Sequence, residues 1–451
     1  DEKGTISIVE IIKSHLEFKK DGEKEYRLCL AWDDPVEDKI LSVLKKIECE
    51  PSLEVLTTNC YKLQIDKLWP EGSEPIWNEM AKLNIDRRDI QELFDFLIIE
   101  LNWPKASLDL TSPGILEKYL INILEDNIGI GKYPNEDRNA IDVAATLIRL
   151  ANICRAESRT ITPKEIVSQL GIRTDFGKVS QKNIVDLKRY VNRESILDDF
   201  KLSIDKAFTV LIGTPGSGKS WLLSMLYESL KTDYLVARHY CYLEPGDQDV
   251  QRRITTNVMF GNLIADLMNS EDEMRYSKKT LFSADEDELN NILEQASVDN
   301  EKVYIIVDGL DHISRVFNTT TDLSRDEIDI VDKLMMLKIP DNVHIILGTQ
   351  PGKHLEPLSR LDNIRYYEMP NWGNEEIKQL FNNYQLHDKV TSLVGSDIDF
   401  YEEIKKKTEG NPLYVTFLIK RLLIDIDKKV INMEDFVSNI PLIDGDIRNY
   451  Y

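Results

Sequence analysis

The chain has 451 residues, 42% of them hydrophobic and 30% charged, and carries a formal charge of −23. That length is too great for one core and suits about three domains of an ordinary soluble globular protein. The acidic balance excludes a broad phosphate-binding face, and no stretch approaches the ~20 apolar residues a membrane span needs.

Asp1 opens the chain with no Met, basic region or apolar run, which suggests an internal fragment without a signal peptide. The five cysteines (Cys29, Cys49, Cys60, Cys154, Cys241) are dispersed, with no CxxC. That pattern predicts buried free thiols in a reducing compartment, neither disulfides nor a zinc site. The first 60 residues read as strand-bearing. TISIVEII, YRLCLAW and LEVLTTN are short apolar runs, and DPVEDKILSVLKKI (34–47) between them has helical spacing. From about 77 to 190 the period is helical, in RRDIQELFDFLIIEL (87–101), GILEKYLINILEDN (114–127) and RNAIDVAATLIRLANICRAES (138–158). Thr162, Pro163 and Glu165 have the types of an N-cap, an N1 proline and a capping-box acid.

From 208 strands and helices alternate. FTVLI, YLVARHYCYL, VYIIV, VHIIL and IRYYE are buried-strand candidates, separated by helical KSWLLSMLYESL, ITTNVMFGNLIADLM and DEIDIVDKLMMLKI. Such alternation predicts a parallel sheet covered on both faces. After 371 the strands give way to helices in NEEIKQLFNNY, YEEIKKKTEG and PLYVTFLIKRLLIDI. The expected fold class is α/β: a P-loop parallel-sheet domain at 191–370 and a helical lid at 371–451, where a truncated winged-helix region also begins. A helical bridge at 106–190 and a small α+β region at 1–105 precede them.

The first strand leads into GTPGSGKS, which is Gly213, Thr214, Pro215, Gly216, Ser217, Gly218, Lys219 and Ser220. GxxxxGK[ST] between a strand and a helix is the phosphate-binding loop in its required context. Loop amides and the helix N-terminus hold phosphates, Lys219 reaches the β- and γ-phosphates, and Ser220 sits on Mg²⁺. The alternative is a glycine-rich turn that binds nothing. At the carboxyl end of VYIIVDGLDH, Asp308 is expected beside this loop as a second Mg²⁺ residue. Asp311 is expected to take a proton from the attacking water or orient it. Both aspartates also suit a plain turn, and His312 suits a structural histidine.

GTPGSGKS, the DGLDH strand, VHIILGTQP and GNPLY (410–414) together resemble a STAND-class NTPase, the branch of the AAA+ superfamily that includes NACHT and NB-ARC proteins. The resemblance covers about 190–445. VNRESILDDF resembles the class's "RE" segment, which puts Arg193 in the site, and GNPLY its GxP motif, which puts Pro412 against adenine. GNPLY is also a plausible helix start, with Asn411 as N-cap. RHYCYLEPGD, QRR and TQPGKHL look like large bacterial STAND proteins of antiviral defence, the Avs-like family. NACHT-type proteins commonly read TSRP where this chain has GTQP, so Gln350 stands in place of a γ-phosphate-sensing arginine. Arg238, Arg252 and Arg253 are candidates to replace it.

The resemblance implies a slow, cytoplasmic ATP/ADP- and Mg²⁺-dependent switch in antiphage defence. A phage-protein trigger would act on a C-terminal sensor absent from this chain, driving homo-oligomerisation and activating an N-terminal effector. No membrane is implied, and nucleic acid only through the effector. The effector is read as nuclease-like in preference to NAD-consuming. Glu10 and Lys13 loosely match a nuclease ExK motif, one residue too long and with no upstream Asp, and read better as a solvated charged pair. LTTNCYKL weakly resembles a sirtuin-like segment. The alternatives to the switch are a motor-type AAA+ ATPase and a nucleotide-stabilised scaffold without significant hydrolysis.

Overall fold

A computed structural model describes residues 11–12, 15–16, 28–49, 59–68, 78, 80–107, 112–157, 159–181, 190–244, 246–268, 276–319, 323–393, 400–427, 436 and 438–441. Glu10, Lys13 and most of LEVLTTN lie outside them. The chain forms two compact units, Asp1–Ile121 and Asn122–Tyr451, with the boundary inside the expected helical bridge.

In the first unit, β1 (Leu28–Trp32), β2 (Leu44–Ile47), β3 (Cys60–Leu63) and β4 (Leu97–Leu101) form a mixed sheet in the order β1-β4-β3-β2. Three sequence expectations change here. Only Asp38–Leu41 of the 34–47 stretch is helical, and β2 follows it. The run 87–101 is a helix, α1 (Arg87–Phe96), followed directly by β4. No glycine or proline marks that switch. All five residues of β4, Glu100 among them, are buried, so LIIEL shows no alternation and looks like a continuing helix face. Ile11 and Ile12, placed in an apolar strand run, are helical.

The cysteine expectation is also corrected. Antiparallel pairing sets Ile47 opposite Cys60, and Cys49 just beyond it forms a disulfide with Cys60 across a Cα separation of 5.7 Å. Cys29 is exposed, and only Cys154 and Cys241 are buried free thiols. The cysteines therefore no longer argue for a reducing compartment.

In the second unit, α2 (Ala140–Ala156) precedes α3 (Pro163–Leu170), which has the expected capping box of Thr162 and Glu165 with Pro163 at its start. After α4 (Glu194–Leu202) comes a five-stranded parallel sheet of β5 (Phe208–Ile212), β6 (Leu235–Tyr240), β7 (Val303–Asp308), β8 (Val343–Thr349) and β9 (Ile364–Glu368). Its order is β6-β7-β8-β5-β9. Connecting helices are α5 (Lys219–Leu230), α6 (Thr256–Met268), α7 (Glu286–Asp299), α8 (Leu310–Phe317) and α9 (Ile330–Met336). They build one apolar core on each face of the sheet. β7 is buried along its whole length, whereas β9 is an edge strand with Tyr366 47% exposed, so IRYYE is not the buried strand its apolar residues suggest.

The other edge is strapped by residues 176–181. Gln181 Oε1 accepts the Tyr240 amide at 2.6 Å and Asn262 Oδ1 accepts the Val179 amide at 2.9 Å. Gly261 lets the strap lie directly on α6, because a Cβ there would stand 2.1 Å from the Phe176 carbonyl oxygen. The strap covers backbone groups that an open edge would expose. After β9, α10 (Asn374–Asn383), α11 (His387–Leu393), α12 (Phe400–Thr408) and α13 (Pro412–Asp427) enclose a separate apolar core that includes Val191 and Trp372. These helices occupy the region expected to form the lid and are called the lid.

Candidate functional site

The chain leaves β5 at Ile212, curls through Gly213–Gly218 and enters α5 at Lys219. Gly216 and Gly218 have φ of +73° and +92°, where a side chain would be strained. The loop is thereby turned back on the helix N-terminus, the geometry that directs amides at an anion. Lys219 is 8% exposed and donates to the carbonyl oxygens of Gly213 at 2.9 Å and Thr214 at 3.0 Å. Burial pushes its pKa down, and Asp308 and Asp311 oppose that shift.

Asp308 ends β7, 1% exposed, with the Ser220 side chain beside it. Burial raises its pKa, against the lowering effects of Ser220 and Lys219. Its Oδ2 and the buried Ser217 Oγ have no protein hydrogen-bond partner. A buried carboxylate oxygen with no donor is costly unless a cation or donor meets it. Ser220 and Asp308 beside the loop therefore fit Mg²⁺, which is commonly held by one or two protein oxygens together with substrate phosphates. Among the described residues no cluster of three or more His, Cys, Asp or Glu could hold a metal alone.

Gly348 was missed by sequence reasoning. The strand register sets it opposite Asp308, and a Cβ at 348 would stand 2.1 Å from Asp308 Oδ1 and 2.5 Å from Leu223 Cδ1. A glycine inside the otherwise apolar VHIILGT was the available signal.

A cavity of about 610 Å³ opens between loop and lid. Gly216–Ser220, Asp308, Asp311, Gln350, Arg193 and Pro412 all line it. Gly213, Thr214 and Pro215 do not. The first two offer their carbonyls to Lys219, and Pro215 offers its own to Asn411 Nδ2 at 2.8 Å. Arg193 is buried, donates to the Pro370 carbonyl at 2.8 Å, and leaves Nε and Nη1 without hydrogen-bond partners. Asn411 caps α13 by accepting from the amides of Leu413 and Tyr414, so GNPLY is a helix start and a cavity wall at once.

Asp311 is placed differently from a free base. Its Oδ2 is paired with Arg315, and its Oδ1 accepts the Gln350 amide at 3.2 Å. None of Arg238, Arg252 and Arg253 lines the cavity. Arg238 lies over the Tyr227 ring, while Arg252 and Arg253 pair with Asp249 and Asp247. The motif reading also missed the aromatic lining. Tyr190 and Trp221 stack with centroids 4.7 Å apart, and Trp372 and Tyr384 stand in the same wall. These come from four separate parts of the chain, with no local pattern to join them.

Residues 192–346 match the family described as Nephrocystin 3, N-terminal. No curated protein matches the chain. Among solved structures, Cdc6p from Pyrobaculum aerophilum is 13% identical over 55% of this chain and 67% of that one, with a TM-score of 0.30. A STAND protein with a tetratricopeptide repeat sensor from Pyrococcus horikoshii is 14% identical over 54% of this chain and 31% of that one, with a TM-score of 0.29. Both scores are below 0.5, so neither likeness bears on the site. No described helix is long and apolar enough to cross a membrane. The family match takes in the strand–loop–helix that carries GTPGSGKS and the strand that delivers Asp308, and this part of the chain has the α/β parallel-sheet fold of a P-loop domain.

Proposed function

We propose that the chain binds Mg·ATP and Mg·ADP between the phosphate loop and the lid, and hydrolyses ATP slowly as a switch. The observation that carries this reading is the joint between the two bodies. Asn411 Nδ2 bonds the Pro215 carbonyl, and the Leu413 amide donates to the Gly216 carbonyl at 3.3 Å. The start of α13 therefore rests on the loop that would hold the phosphates, with Pro412 in the same cavity. A ligand touching both bodies biases their relative position, which is the requirement for a switch. Lys219 would neutralise phosphate charge, and Ser220 and Asp308 would hold Mg²⁺, which supplies further charge stabilisation when bound.

The wider reading is a cytoplasmic antiphage switch. An N-terminal effector and a C-terminal sensor for a phage protein would be joined by oligomerisation. It is favoured by the motif order through GNPLY and by the segments at 238–247, 251–253 and 349–355. Steady-state turnover separates the alternatives. A motor turns over at rates on the order of 1 s⁻¹ or faster. The untriggered switch is expected well below that with nucleotide bound, whereas a scaffold binds and releases no phosphate.

A further inference from the structure

We propose that His312, rather than Asp311, takes the proton from the water that attacks the γ-phosphate; this rests on the cavity being a Mg·ATP site. Both carboxylate oxygens of Asp311 are engaged, one by the Arg315 guanidinium and the other by the Gln350 amide. Neither oxygen is therefore left unpartnered to meet an attacking water, as a general base has to be. It is well placed instead to hold Gln350, at the end of β8, against α8.

His312 is the next residue on the first turn of α8, and it lines the cavity with Lys219 and Asp308. Its ring lies flat on Tyr242, with centroids 4.2 Å apart and planes 5° from parallel, so its orientation is set from outside its own helix. Tyr242 follows β6, so the stack ties the imidazole to a second strand end. The charged groups around it are Asp311, whose Oδ2 is 3.7 Å from Nε2, and Arg315 and Lys219. Burial lowers the His312 pKa, Asp311 opposes that, and the two cations add to it. The ring is therefore neutral near pH 7, with a lone pair free to accept a proton.

In the step, the water oxygen forms a bond to Pγ and the bond from Pγ to the bridging oxygen breaks. The electron pair of that bond leaves with ADP. The water proton passes to the neutral imidazole, which returns it to solvent after phosphate departs. Asp311 becomes a positioning residue that stabilises the imidazolium formed.

The test uses single-turnover phosphate release across pH in wild type, His312→Gln and Asp311→Asn, with Mg·ATP affinity measured on each sample. Loss of a general base typically slows the step ~100-fold or more. His312→Gln is expected to show that loss, keep ATP affinity within about threefold, and lack the acid-side inflection of the wild-type profile. Asp311→Asn is expected to keep the inflection, moved to lower pH because an anion favouring the imidazolium is gone. In the nucleotide-free protein, the imidazole resonance missing from His312→Gln should titrate below the ordinary histidine value. Wild-type hydrolysis by His312→Gln, or an inflection that survives there and vanishes in Asp311→Asn, overturns the assignment. Absence of Mg·ATP binding by wild type overturns the site reading as well, and the affinity arm shows that separately.

Discussion

Lys219→Ala is expected to lower Mg·ATP affinity at least ~100-fold, about 2.7 kcal/mol, while the nucleotide-free protein stays folded. The loss follows from removing the only side-chain cation that the phosphate loop supplies, in a site whose other buried lining cation is Arg193. Charge-assisted hydrogen bonds contribute about 1.5–3 kcal/mol, so one lysine reaching two phosphate groups accounts for the effect. The intact fold follows from the opposing terms at Lys219. Burial disfavours its charge, and its two bonds to the Gly213 and Thr214 carbonyls only partly compensate. Removing the lysine takes away a desolvated cation along with those bonds. Calorimetric titration and thermal unfolding on the same samples check both halves. Equal ATP affinity in the two proteins would remove the phosphate-loop assignment.

Gly410→Ala is expected to cost about 3 kcal/mol of stability, concentrated in the lid. Gly410 has φ of +69° and follows Glu409 at +51°, a tight left-handed corner between α12 and α13. Left-handed backbone costs an L-residue about 1–2 kcal/mol. Here the new Cβ would also stand 2.2 Å from the Trp372 carbonyl oxygen and 3.0 Å from its amide nitrogen. Both are backbone atoms, and the Trp372 amide is itself bonded to the Gly410 carbonyl at 2.9 Å. Neither side can yield by a rotamer change, so overpacking adds about 1–3 kcal/mol. Chemical denaturation read at Trp372 should show the loss. Because Pro412 stands two residues on, ADP affinity should fall with it. A variant as stable as wild type would show that the corner adapts and does not set the lid's position.

What the sequence made legible was local. Gly213–Ser220, the apolar run into Asp308 and the cap at Thr162 each lie within one short window, and each sits where its pattern implies. The α/β alternation was legible because both faces of the sheet are covered and its inner strands are buried and mainly apolar. The helix-to-strand switch at Leu97 was not, since a strand buried on both faces carries no alternation. α7, α8 and α11 were also passed over. α8 begins inside DGLDH, where the chemical motif masks the helical spacing. Gly348, the Tyr190–Trp221 stack and the Cys49–Cys60 bridge depend on strand register and chain return. No short window contains both partners of the first two, and Cys49 and Cys60, 11 residues apart, meet only through the pairing of β2 with β3. Asp311 and His312 show the same limit in the site itself. Their order in the motif favours Asp311 as base, but Arg315, on the next turn of α8, and Gln350, beyond β8, occupy its oxygens.

The proposed switch requires that one nucleotide bridge the phosphate loop and the lid. Hydrogen exchange in the presence and absence of Mg·ADP tests it most directly. The claim predicts slower exchange at Gly216–Ser220 and, in parallel and with the same ADP dependence, at Asn411–Thr416 on the first turn of α13. Protection confined to the phosphate loop, with exchange at Asn411–Thr416 unchanged at saturating ADP, would contradict it.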